Sequence, residues 1–194
     1  MHRRLRYFIV KKIAPNLYKN AMRCYKIRPF TRQLGDLNKT LIGAEIGVYR
    51  GENAQEILKY TPTILLYLID PYEEYEDAKS WNRISLKEAE KEAHERLKNF
   101  SQVHWIPCKS ENIIEWSPFD KLDFVYIDGN HTTFHVKKDI ELALKITKEG
   151  AIIGGHDYFG FYSVKEVVDA YSLLLDVDLY TESPDWWFFK NART

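Results

Sequence analysis

The stretch "LIGAEIGVYRGENAQEILKYTPTILLYLID", Leu41 to Asp70, decides the fold. A short apolar run ends in a glycine turn, a helical segment follows, and a second apolar run ends in aspartate. Residues 63–70 show almost no polar alternation, as expected of a strand buried on both faces. Asn53, with Glu56 three residues on, has the spacing of a capping box at the head of the helix. The stretch therefore reads strand, glycine turn, helix, strand.

The same grammar repeats outward. Leu86, Ala89, Ala93 and Leu97 recur at helical spacing and predict an amphipathic helix over 84–99. "VHWIPC" and "KLDFVYID" are the third and fourth strands. Val136, Ile140, Ala143 and Leu144 mark a helix, "GAIIGG" a fifth strand, and Val164, Val167, Val168 and Tyr171 another helix. Such alternation implies right-handed crossovers and a mainly parallel, doubly wound, Rossmann-like α/β sheet. "VDLYTE" and "DWWFFK" flank only Ser183-Pro184, so they are expected to form an antiparallel pair.

The chain has 194 residues, 45% hydrophobic and 29% charged, which suits one globular domain with an extension. The net charge is zero, yet ten of the 28 Lys/Arg fall within residues 1–35, which hold no Asp or Glu. We therefore divide the chain into a basic helical extension, 1–38, and a domain, 39–194. The basic arm is expected either to pack with a solvated basic face or to touch a membrane surface, nucleic acid or another anionic partner, or to cover the acceptor site. Cys24 and Cys108 have no framework spacing and read as reduced thiols, and the apolar run 7–10 is too short for a secretory core, so a cytoplasmic location is expected.

In open parallel sheets, ligands bind beyond the carboxyl ends of the strands. Those ends here carry Glu45, Gly47 and Gly51; Asp70; Cys108, Lys109, Ser110 and Glu111; Asp128, Asn130 and His131; and His156, Asp157 and Tyr158. "EIGVYRG" is neither Gly-x-Gly-x-x-Gly nor a P-loop. Its glycines let a ligand approach the backbone, and Asp70, about twenty residues on, is placed to accept ribose hydroxyls.

With "GAEIGVYRG", "LYLIDPY", "DFVYIDGNHTTFHVKKDIELAL" and "KEGAIIGGHDY" in this order over residues 40–190, the chain resembles the class I S-adenosylmethionine-dependent methyltransferases. Within them it is similar to the macrocin-type and other sugar O-methyltransferases. The resemblance implies a seven-stranded sheet with an antiparallel last strand. It implies S-adenosylmethionine at Glu45, Gly47, Gly51, Asp70, Ser110, Glu111 and Asp128. Metal-dependent relatives hold magnesium with an acid at the place of Asp128 and a doublet after the fifth strand, here His156-Asp157. The implied metal set is Asp128, His156 and Asp157. Histidine at 156 departs from the usual oxygen pair and shifts the expectation from magnesium towards a softer divalent ion, or towards His156 as a base without metal. His131 sits where related enzymes place a catalytic base, so the catalytic set is His131, Asp128 and His156.

The expected activity is methylation of a hydroxyl on a sugar, glycan or other small molecule, with a homo-oligomer among the expected partners. "YEEYEDAKSWNR" (72–83) reads as an acceptor flap or a surface loop, and the aromatics of "YFGFYS" (158–163) as stacking or packing groups. Competing readings are a nicotinamide-dependent oxidoreductase, disfavoured by the missing glycine, a non-catalytic cofactor-binding protein of the same fold, and methylation of nucleic acid or lipid.

Overall fold

The computed structural model describes residues 27–73, 84–115 and 121–191. The basic arm up to residue 26, Cys24 and most of the 72–83 flap lie outside them.

The elements run α1 (Pro29–Asp36), β1 (Leu41–Ile46), α2 (Glu52–Tyr60), β2 (Thr63–Ile69), α3 (Leu86–Leu97), β3 (Val103–Ile106), a 3-10 helix (Ser110–Glu115), β4 (Leu122–Ile127), α4 (Thr133–Ile146), β5 (Thr147–Gly155), α5 (Tyr162–Leu174), β6 (Tyr180–Glu182) and β7 (Asp185–Phe189). The seven strands stand in the order β3-β2-β1-β4-β5-β7-β6. β1 to β5 pair in parallel, while β7 runs antiparallel to both β5 and β6. The strand order reverses between β1 and β4, and that switch point is where a ligand crevice must open.

Two apolar layers sandwich the sheet. Val125 and Ile127 face Val136, Ile140 and Val164 on the side of α4 and α5. Phe124 and Tyr126 face Phe30, Ala54, Ile57 and Leu97 on the side of α1, α2 and α3. Both faces of β4 are fully covered, which explains its unbroken apolar sequence.

Helix α1, counted with the extension in the sequence, is part of this packed body. Phe30 and Leu34 are fully buried. Asp185 Oδ2 accepts from Phe30 N–H at 3.1 Å, and Oδ1 accepts from Tyr126 Oη at 2.8 Å. Arg28 Nη1 donates to the same Tyr126 Oη at 2.9 Å. This buried contact of α1 with β4 and β7 lies within the segment 1–38 that the sequence assigns to the extension.

The capping-box expectation at Asn53 is corrected. Gly51, with φ +69°, is the N-cap of α2. Asn53 instead turns inward and its Nδ2 donates to Glu45 Oε1 at 3.2 Å, while Glu56 accepts Arg28 N–H at 2.7 Å. Two long-range partners outcompete the local cap. A capping box does form at Ser85 and Glu88, at the head of α3.

Candidate active site

At the carboxyl edge of β1, β2 and β4 lies a cavity of about 350 Å³. Its floor is the glycine turn after β1. Gly47 has φ +82°, and a Cβ there would stand 2.1 Å from the Asp128 carbonyl oxygen, so only glycine fits. The turn is laced to both neighbouring strands: Gly47 N–H donates to Ile69 O at 2.9 Å, and Asp128 N–H to Ile46 O at 2.7 Å.

Asp70 clamps the turn from β2. Its Oδ2 accepts from Val48 N–H at 2.8 Å and Tyr49 N–H at 3.0 Å, and its Oδ1 from Tyr72 N–H at 2.8 Å. Burial raises its pKa, and these three backbone donors only partly offset the rise. Asp70 lines the cavity, so the carboxylate that orders the turn also faces a ligand.

Glu45 and Gly51 stand behind the cavity wall. Glu45 is 1% exposed and its Oε2 has no hydrogen-bond partner among the described residues. Burial pushes its pKa up to about 8, against the lowering by Asn53. A Cβ on Gly51 would meet Leu97 Cδ1 at 3.0 Å, so this glycine admits α3 rather than a ligand.

Beyond Asp70 the cavity is closed by Lys109, Ser110 and Glu111 and by Asp139 of α4. Ser110 Oγ donates to Asp139 Oδ1 at 2.5 Å. Burial drives Asp139 up to about 7; the Ser110 bond lowers it and Glu111 raises it. Sequence reasoning missed Asp139. The available signal was a carboxylate within the apolar stripe of α4, beside Val136, Ile140 and Ala143.

β4 and β5 deliver a second cluster of titratable groups, of which Asp128 and His131 line the cavity while His156 and Asp157 do not. His131 Nε2 lies 2.8 Å from Asp157 Oδ2. His156 Nδ1 lies 3.0 Å from Asp157 Oδ1 and 3.8 Å from Asp128 Oδ1. His131 is held by stacking on Phe161, ring centroids 4.2 Å apart, and by Ser163 Oγ donating to its carbonyl at 2.5 Å. His156 is fixed through its backbone, its N–H donating to Ile127 O at 3.0 Å and its O accepting from Trp186 Nε1 at 3.1 Å. Asp157 takes a left-handed conformation, φ 65°, which turns its carboxylate between the two rings.

The electrostatics follow. Burial lifts Asp128 to about 6, restrained by the charges of His156, Arg28 and His131. Burial also works upward on Asp157, but the flanking His131 and His156 outweigh it and hold this carboxyl well below the usual range. Burial alone would lower His156; the Asp157 hydrogen bond and the Asp128 charge reverse that and raise it.

Asp128, His131 and Asp157 each offer one ligand atom, and these atoms lie within 4.8 Å of one another. The sequence grouped Asp128 and Asp157 with His156 instead. Nε2 of His131 is buried against Asp157 Oδ2, an ion-pair contact that falls outside hydrogen-bond alignment. Two carboxylates and one imidazole are a chemically reasonable divalent-cation set.

A seven-stranded sheet of this order, with a glycine turn at the switch point and an acid closing β2, defines the Rossmann-like methyltransferase class. The chain belongs to the methyltransferase-domain family, whose model matches residues 44–158. Among solved structures it is similar to the O-methyltransferase NovP, with 18% identity over 87% of this chain and 79% of that one, TM-score 0.64. It is also similar to the O-methyltransferase TomG of Streptomyces achromogenes, solved with S-adenosylmethionine: 14% identity, 84% and 78% covered, TM-score 0.60. An rRNA methylase of Streptococcus thermophilus gives 15% identity, 84% and 92% covered, TM-score 0.59. No curated protein matches the chain. Among the described residues no helix is long and apolar enough to cross a membrane.

Proposed function

We propose that the protein transfers the methyl group of S-adenosylmethionine to a hydroxyl oxygen of a sugar or other small molecule. The observation that carries this reading is the continuity of one cavity from Asp70, through Gly47, to Asp128 and His131. A cofactor lying along the glycine turn then has its sulfonium beside a histidine that contacts a carboxylate. The hydroxyl oxygen attacks the methyl carbon as the carbon–sulfur pair returns to sulfur. His131 takes the hydroxyl proton, and Asp157 at 2.8 Å stabilises the imidazolium that results. The activated donor needs mainly positioning, which the backbone-fixed turn supplies.

His156 acts as a charge between Asp128 and Asp157 rather than as the base. Phe159 and Phe134, each 57% exposed, and Tyr162, 79% exposed, flank the segments bearing Asp157 and His131 and suit stacking on a sugar or aromatic acceptor.

The clustering of three ligand atoms within 4.8 Å favours one second reading: Asp128, His131 and Asp157 hold a divalent cation, which when bound would acidify the acceptor hydroxyl. His131 would then orient the site and another group or water would carry the proton.

A screen of sugars and phenols with methyl-labelled S-adenosylmethionine tests the function, run with and without a chelator. Transfer insensitive to chelation supports His131 as base. Transfer that stops and returns on adding a metal supports the cation reading. Binding of the cofactor with labelling of RNA alone would overturn the small-molecule acceptor.

A further inference from the structure

His131 is gripped by one segment, 157–163, between β5 and α5. Asp157 Oδ2 meets its Nε2 at 2.8 Å. The Phe161 ring lies on the imidazole, with centroids 4.2 Å apart and planes 19° from parallel, and Ser163 Oγ donates to the His131 carbonyl at 2.5 Å. The segment is closed on itself: the Asp157 carbonyl accepts from Gly160 N–H and Phe161 N–H, each at 3.0 Å. Tyr158 Oη ties it to α5 by donating to Asp169 Oδ1 at 2.7 Å. Phe161 is also the N-cap of α5, its carbonyl accepting from Lys165 N–H at 3.1 Å. Its ring therefore stands on a fixed backbone.

The nitrogens of His131 are not equivalent in this grip. Nε2 is buried against Asp157 Oδ2 and is closed to an acceptor. His131 nonetheless lines the cavity, and its Nδ1 carries no hydrogen bond among the described residues. A neutral imidazole has one N–H and one lone pair, and the partner of one nitrogen sets the role of the other. A carboxylate only accepts, so Asp157 favours the N–H on Nε2 and leaves the lone pair on Nδ1. Exchanging the nitrogens requires the ring to turn about χ2. With the rings nearly parallel, that turn drives the edge of the imidazole into Phe161.

We propose that Phe161 is a positioning residue that presents Nδ1 of His131, and not Nε2, to the acceptor hydroxyl. This assignment rests on the reading of His131 as the base. The acceptor O–H bond breaks and its proton goes to the Nδ1 lone pair. The oxygen bonds the methyl carbon, and the carbon–sulfur pair returns to sulfur. The imidazolium that results keeps its Nε2–H against Asp157.

The competing role for Phe161 is packing alone. Phe161→Leu keeps an apolar side chain and removes the ring, and should lower kcat about 10- to 100-fold, the range for a misplaced reacting group, with acceptor KM within about threefold of wild type. Phe161→Tyr keeps the ring and should restore turnover. Nitrogen NMR of the histidine-labelled wild-type protein should show His131 with its proton on Nε2 and its ring protons shifted upfield by the stacked ring.

Phe161→Leu that melts earlier but turns over as wild type does is packing alone, and overturns the proposal. A loss of kcat that Phe161→Tyr does not restore also overturns it. If the leucine variant does not fold, the wild-type spectrum decides: a proton on Nδ1, or no upfield shift, overturns the assignment. Where transfer survives a chelator, these failures leave the reading of His131 as base intact. Transfer that a chelator stops overturns that reading and this assignment with it.

Discussion

The cavity and the side-chain cluster that adjoins it at Asp128 and His131 are built by different means. On the β1–β2 side, position is set by backbone: Gly47 is wedged against Asp128 O, and Asp70 accepts three backbone N–H groups. On the β4–β5 side, it is set by side chains in mutual contact: His131, Asp157, His156 and Asp128. The first arrangement holds a shape through a steric wedge and backbone donors. The second redistributes protons, with one carboxyl lifted to about 6 and its neighbour held far down. Binding and chemistry should therefore be separable by substitution.

The largest separation should come from His131→Ala. Turnover should fall by about 10²- to 10⁴-fold, the usual worth of a general base, with cofactor affinity nearly unchanged. A matching loss of affinity, read by calorimetry, would merge the cavity and the cluster into one unit.

Gly47→Ala should act on the cavity and on the fold. The left-handed backbone and the 2.1 Å encounter with Asp128 O leave no place for a methyl group. A loss of at least about 1–3 kcal/mol from backbone strain is expected in denaturant unfolding, together with loss of cofactor binding. Unchanged unfolding would show that the turn is more yielding than its hydrogen bonds suggest.

The pH response should likewise divide. Asp128, lifted to about 6, is ionised above that pH and protonated below it. Once it is protonated, the charge opposite His156 is gone, so kcat/KM should fall as pH drops through 6. Affinity for S-adenosylhomocysteine should change much less over the same interval. Parallel profiles for rate and affinity would contradict the division.

The smallest effect concerns Glu45. Its folded pKa of about 8 exceeds the ordinary value of 4.5, so folding takes up a proton and the native state loses stability as pH rises across that window. Glu45→Gln removes this penalty and can keep the Asn53 hydrogen bond. Its melting temperature should exceed wild type at pH 8 and approach it at pH 5. At this chain length each kcal/mol gained corresponds to about 2–4 °C. A lower melting temperature at pH 8 would mean that the carboxylate is needed in place.

Much of the fold was legible because burial on both faces leaves an unbroken apolar signature, as in Leu122–Ile127. The glycine turn was legible because a backbone that must take positive φ restricts residue choice, and Asp70 because a carboxylate closes an otherwise unbroken apolar strand. What stayed hidden depends on contacts between distant segments. The burial of Phe30 needs Asp185 and Tyr126, and the inward turn of Asn53 needs Glu45. That Asp157 sits between His131 and His156 follows from its left-handed backbone, which no aspartate announces in sequence. Asp139 was hidden because one carboxylate in a helical apolar stripe looks like an interruption until Ser110 is placed beside it.

The central claim is that the crevice at the strand switch point holds S-adenosylmethionine through the glycine turn and Asp70. Titration of the wild-type protein with S-adenosylhomocysteine and, in parallel, with NAD tests it most directly. Saturable binding of S-adenosylhomocysteine alone, weakened at least about tenfold in Asp70→Ala by loss of a charged acceptor, is the expected result. Binding of NAD in its place, or S-adenosylhomocysteine affinity untouched by Asp70→Ala, would contradict it.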